Sequence, residues 1–154
     1  MNITELKEKK EFIENIKLSR IYVQFQDLLK DLRKKELPQK IIELINQDIE
    51  DLNSTSFTGK ELKKMLKQKQ ARILSLLEKE LKIVPKDHYQ NIYLTLGVAI
   101  GSGIGIAISE SIFGNFSYFP IFTGIGLALG IVYGSSMDKK AFKDGRQIDV
   151  KIRY

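Results

Sequence analysis

Residues 92–137 read IYLTLGVAIGSGIGIAISESIFGNFSYFPIFTGIGLALGIVYGSSM, and Glu110 is their only charge. A helix that spans a bilayer needs about 20 mostly apolar residues. Residues 92–113 and 118–137 each meet that length and, at about 1.5 Å of rise per residue, each reaches roughly 30 Å. Between them lies Gly114-Asn115-Phe116-Ser117, a run of turn formers. Pro120 falls in the first turn of the second helix, where a missing N–H costs little. Tyr89, Tyr93, Phe116, Tyr118, Phe119 and Tyr133 stand near the expected interfaces, as an aromatic belt does. The stretch predicts a two-pass transmembrane hairpin over residues 89–137.

Glycine spacing sharpens this reading. Gly97, Gly101 and Gly105 recur every four residues, as do Gly126, Gly130 and Gly134. Each set forms one bare stripe down a helix, a doubled GxxxG pattern that lets two backbones approach closely in lipid. A hairpin folded at its Asn115/Phe116 midpoint sets Gly97 against Gly134, Gly101 against Gly130 and Gly105 against Gly126. Gly103 with Ala128, and Ala107 with Gly124, obey the same mirror. The bland alternative is a glycine-rich hairpin buried inside a soluble protein. Too little chain remains to cover two such apolar helices.

Charge lies outside the hairpin. Residues 1–88 hold 19 Lys/Arg and 15 Asp/Glu, and residues 138–154 hold six Lys/Arg and three Asp. Lys79, Lys82 and Lys86 precede the first apolar run, and Lys139, Lys140, Lys143 and Arg146 follow the second. The linking turn carries no Lys or Arg, so both termini are expected on the cytoplasmic side of a bacterial inner or plasma membrane. The chain begins without an apolar signal region, so the first membrane helix is expected to direct its own insertion. Cysteine is absent, which excludes disulfides and thiolate metal sites.

Residues 1–88 read as a cytoplasmic helical region, a small bundle or a helical hairpin with coiled-coil character. Leu18, Ile21, Tyr22, Phe25, Leu28, Leu29 and Leu32 keep helical spacing, which predicts a first helix over about residues 3–36. A second follows Pro38 through Ile41, Ile42, Leu44, Ile45, Ile49 and Leu52. A third opens on a Thr58/Glu61 capping box and carries Leu62, Met65, Leu66, Ile73, Leu74, Leu76, Leu77 and Leu81. In the basic tail, residues 138–154, the alternation Ile148, Val150, Ile152, Tyr154 predicts a possible strand over 147–154. Its backbone must pair with another copy, pair with a partner, or stay disordered.

Chemistry-bearing motifs are few. His88 is the lone histidine and reads as solvated. No Ser-His-Asp set, metal cluster or P-loop can be assembled, so neither an enzyme nor a cofactor site is expected. Gly124-Ile125-Gly126-Leu127-Ala128-Leu129-Gly130 imitates a dinucleotide fingerprint, but no strand precedes it. Lys60, Lys63, Lys64, Lys67, Lys69 and Arg72 read first as a solvated face; Lys60, Lys63, Lys64, Lys67 and Arg72, with Lys139, Lys140 and Lys143, read second as contacts for anionic lipid headgroups. Glu110 reads as an interfacial carboxylate or, in an oligomer, as part of a cation-favouring ring. Nucleic-acid binding lacks a recognition fold.

Three pieces, Gly97-Val98-Ala99-Ile100-Gly101, Gly126-Leu127-Ala128-Leu129-Gly130 and Gly134-Ser135-Ser136-Met137-Asp138-Lys139-Lys140, give residues 97–146 a resemblance to bacterial glycine-zipper family proteins. The resemblance implies a paired-helix membrane architecture and no shared activity. The expectation is an all-α, non-enzymatic membrane protein. Its glycine-zipper hairpin anchors and oligomerises a cytoplasmic helical domain that binds a protein partner. The alternative is a membrane-permeabilising effector or small channel built from oligomerised hairpins.

Overall fold

Three apolar stripes, each turning with the helical period, build the first of two units. Leu18, Ile21, Tyr22, Phe25, Leu28, Leu29 and Leu32 are buried on one face of α2 (Ile16–Leu32). Ile41, Ile45, Ile49 and Leu52 are buried on α3 (Gln39–Ser54), and Leu62, Leu66, Ile73, Leu74 and Leu77 on α4 (Gly59–Leu81). The three stripes meet in one core, with α4 packed against both α2 and α3. Each fully buried Leu, Ile or Phe contributes about 1.5–3 kcal/mol relative to an exposed one. The computed structural model describes residues 2–152, without the side chains of Ile13, Glu14 and Phe113. Among the described residues six α-helices carry the chain, so the fold is mostly helical. It divides into two units: the chain up to Pro85 and again from Ile148, and Lys86–Gln147 between them.

The first expected helix is shorter than the pattern suggests. α1 covers only Lys10–Glu14, and α2 starts afresh at Ile16. Asn15 separates them, and its side chain accepts hydrogen bonds from the Lys17 and Leu18 amides as the N-cap of α2. Residues 3–9 form an arm outside any helix or strand. Ile3 and Leu6 satisfy helical spacing, yet Lys7-Glu8-Lys9-Lys10-Glu11 supplies nothing apolar to hold a helix to the core. Outside a helix, the arm buries Ile3 and Leu6 and finds side-chain partners for its backbone. Asn46 accepts from Thr4 N and donates to the Asn2 carbonyl, and Asn53 accepts from Lys7 N and donates to the Glu5 carbonyl.

The Thr58 capping box does not form. Gly59 takes a left-handed φ of +51°, and Thr58 makes no side-chain cap. Its carbonyl receives the Glu61 and Leu62 amides instead.

One buried carboxylate ties α3 to α4. Asp48 is 2% exposed and accepts from Lys69 Nζ at 2.8 Å and Arg72 Nη1 at 3.1 Å. Burial pushes the Lys69 ammonium down, but its hydrogen bonds to Asp48 and Asp51 outweigh that and raise its pKa above the ordinary 10.5.

The alternating tail closes the same unit. β2 (Gln147–Ile148) pairs with β1 (Val84–Pro85). Ile148 is fully buried, Val150 nearly so, and Ile152 packs on the core. Asp149 N donates to Asp31 Oδ2 at 2.8 Å. The partner for this segment is thus the chain's own β1, a pairing that alternation cannot disclose. Residues 153 and 154 of the expected strand lie outside the described residues.

The second unit is an antiparallel pair, α5 (His88–Phe113) and α6 (Phe119–Lys143), joined through a 3₁₀ turn at Phe116–Tyr118. Gly114 ends α5 at φ +62°, its amide donating to the Glu110 carbonyl. Pro120 sits in the first turn of α6.

Candidate functional site

α5 and α6 are long and apolar enough, from His88 to Ile112 and from Phe116 to Lys143, to cross a membrane. Their large side chains point outward. Ile100, Ile104, Ile125, Leu129 and Val132 are all at least half exposed. In water, apolar surface of that extent is a liability unless another apolar phase covers it.

Between the helices the contact is made by backbone. A β-carbon added at Gly97 or Gly126 would overlap the other's carbonyl oxygen, and one at Gly130 would overlap that of Tyr93. At Gly101 it would stand 2.6 Å from the Phe122 oxygen, at Gly105 2.9 Å from the Phe119 oxygen, and at Gly134 2.5 Å from Gln90 Cα. The register differs from the mirror expected from a midpoint at Asn115/Phe116. Gly97 lies against Gly126 and Gly130, not Gly134, and Gly134 lies against Tyr89 and Gln90. The cause is the turn. The chain reverses at left-handed Gly114, and the 3₁₀ turn packs back on α5 before α6 begins. Opposed positions shift by more than a helical turn as a result.

Both stripes continue past their glycines in steps of four. On α5 the next position is Ser109, which is fully buried, and its hydroxyl has no partner among the described residues. On α6 it is Asp138, 8% exposed. Asp138 Oδ1 accepts from Tyr89 N at 3.1 Å and Oδ2 from Gln90 N at 2.9 Å. These are the second and third amides of α5, the donors an N-cap serves. Asp87, at the cap position, has a left-handed φ of 60° and makes no side-chain cap. The carboxylate of α6 therefore caps α5 from across the pair, with its charge at the positive end of the α5 dipole. Gly134, one turn before, permits the close approach this requires. Midway along, Ser102 and Thr123 share a hydrogen bond of 3.0 Å, and the Tyr93 and Tyr133 rings meet edge-on at 4.6 Å.

The remaining candidates are dispersed. Glu110 is exposed near the turn end of α5. Lys139, Lys140 and Lys143 are exposed on the last turns of α6. On α4, Lys60, Lys64 and Lys67 are exposed and Lys63 is half-buried. Lys63 and Lys67 line a groove of about 1020 Å³ in the first unit, with Lys17, Arg20, Lys30 and Lys34. Arg72 is engaged with Asp48. The His88 ring packs edge-on against Tyr89 at 5.1 Å. Among the described residues no group of three or more His, Cys, Asp or Glu is placed to hold a metal ion.

No protein family, curated protein or solved structure matches the chain. The likeness to glycine-zipper proteins rests on its residue pattern alone.

Proposed function

We propose that α5 and α6 insert as a glycine-seamed transmembrane hairpin that anchors the helical unit at the cytoplasmic face of a bacterial inner or plasma membrane. The observation that carries this reading is the division of surfaces. Large apolar side chains face outward, while Asp138, Ser102 and Thr123 find hydrogen-bond partners between the helices and the Ser109 hydroxyl, buried there, has none among the described residues. That arrangement suits lipid, where an unsatisfied polar group costs several kcal/mol. Lys139, Lys140 and Lys143 beyond α6 favour the cytoplasmic side for that end. The anchored unit then serves as a non-enzymatic interaction domain for a protein partner. Alkaline washing of membranes from cells expressing the full chain tests insertion: the protein stays with the membrane pellet. Recovery as a monodisperse species without detergent overturns the reading.

Self-association belongs to the same proposal, through other residues. The six seam glycines are consumed within one hairpin. A β-carbon added at Gly103 or Gly124 would meet nothing within 4 Å, and Ala99, Ala107 and Ala128 are exposed. These outer positions form a second set of small residues on the backs of α5 and α6, suited to the partner helix of a neighbouring hairpin. Gly103→Leu should lower the oligomeric state in mild detergent and leave the hairpin itself closed. A contact between the back of α5 and the back of α6 is head-to-tail and can close into a ring. That geometry, with Glu110 exposed, supports the second reading, a small channel. Conductance in liposomes, altered by Glu110→Gln, would favour it over an anchor.

A further inference from the structure

The arm at residues 2–9 is held in the first unit as a bound peptide would be. Asn46 brackets Ile3, donating to the preceding carbonyl at 3.2 Å and accepting from the following amide at 2.7 Å. Asn53 brackets Leu6 in the same way, at 3.0 and 2.8 Å. A primary amide presents the donor and acceptor that a neighbouring strand would present, so each asparagine reads extended main chain as a β-ladder does. The spacing makes both brackets work together. Seven residues along a helix rise about 10.5 Å, and three residues of extended chain span about 10 Å. Between the brackets Arg33 donates to the Ile3 and Thr4 carbonyls, and Tyr22 Oη donates to that of Leu6. Ile3 and Leu6 are each 6% exposed.

This seat recognises main chain plus two apolar side chains three residues apart. None of its contacts depends on the arm belonging to the same molecule. The connection also permits exchange. Asn15 is extended (φ −116°, ψ 105°), and its own side chain caps α2, so α2 keeps its cap whichever way the preceding chain runs. We propose that the seat takes the arm of a second copy, so that two chains exchange the segment preceding Asn15. The exchanged contacts are the same as those within one chain. The balance is then set by effective concentration, which is high for copies held in one membrane. The exchange therefore rests on the hairpin reading, since a shared membrane is what concentrates the copies against the arm's own seat.

The chain has no cysteine, so engineered pairs report cleanly. Lys9 Nζ donates to the Thr55 carbonyl, which places these two positions side by side in the seated arm. Full-length copies bearing Lys9→Cys and differently tagged copies bearing Thr55→Cys would be mixed in mild detergent, reconstituted together into liposomes and treated with a short bis-maleimide. Bridged heterodimers are expected. Their yield should fall about tenfold when the Thr55→Cys copy also carries Asn46→Ala and Asn53→Ala. It should fall equally when the Lys9→Cys copy carries Ile3→Asp and Leu6→Asp, a variant that leaves the receiving copy untouched. A single copy bearing both cysteines reports the arm seated at home. Bridging only within such single copies overturns the proposal. So do heterodimers undiminished by either set of substitutions, since those reflect proximity without seating. The readout lies at Lys9 and Thr55, so failure of exchange is separable from failure of membrane insertion.

Discussion

Asp138 holds a charge where apolar helices tolerate few, and it is retained by two amide donors. Removing it leaves the Tyr89 and Gln90 amides without their acceptor. Asp138→Ala should cost about 1 kcal/mol, as loss of an N-cap does. Hydrogen exchange at those two amides should then quicken roughly fivefold, with Asp138→Asn intermediate; unchanged exchange would show that another group holds them. The glycines divide at the same scale. Gly130→Leu drives a side chain into the Tyr93 backbone and should separate α5 from α6, whereas Gly103→Leu enters open space. A disulfide engineered across the pair should form poorly in the first variant and normally in the second. Equal yields would mean that the seam does not set the helix spacing.

At the scale of elements, the α3–α4 clamp gives the first unit a pH limit. Lys69 has its pKa raised in the folded chain. Its contribution is therefore complete below the ordinary value of 10.5 and is lost as pH rises through the higher folded value. Thermal unfolding should show the Lys69→Met variant losing its deficit relative to wild type as pH climbs above 10.5. A deficit constant up to strongly alkaline pH would assign it to packing. Asp48→Ala removes the buried acceptor of two cations and should cost on the order of 2 kcal/mol by urea unfolding. α2 shows why the arm escaped a reading by periodicity. Ile3 and Leu6 fit a helix as well as they fit an extended chain. The deciding residues, Asn46 and Asn53, lie more than forty positions away.

For the whole molecule, the two units differ in what covers their apolar residues. The first buries its stripes in its own core. The second leaves its outer faces exposed and keeps only its backbone seam and few polar groups inside. A chain ending before Lys86 lacks the tail residues Ile148 and Val150 that complete the first unit's core. Such a truncation should be less stable than the full chain, by about 2–5 kcal/mol from the loss of Ile148 packing and its neighbours. Equal urea midpoints for the two would show that the tail is dispensable.

The sequence by itself determined the mostly helical class, the two long apolar helices, the turn between them and the helical stripes of α2, α3 and α4. All follow from local composition and from periods of three to four residues. Asp138 and Ser109 continue the glycine repeats in steps of four, a signal that the sequence reading passed over. Only the tertiary structure decided the hairpin register, because left-handed Gly114 and the returning 3₁₀ turn displace the midpoint that symmetry suggests. Only it revealed the seated arm, the Asp48 clamp and the pairing of Ile148 with β1. Each of these joins groups distant along the chain, and periodicity within one segment carries no information about which distant donor will meet which acceptor.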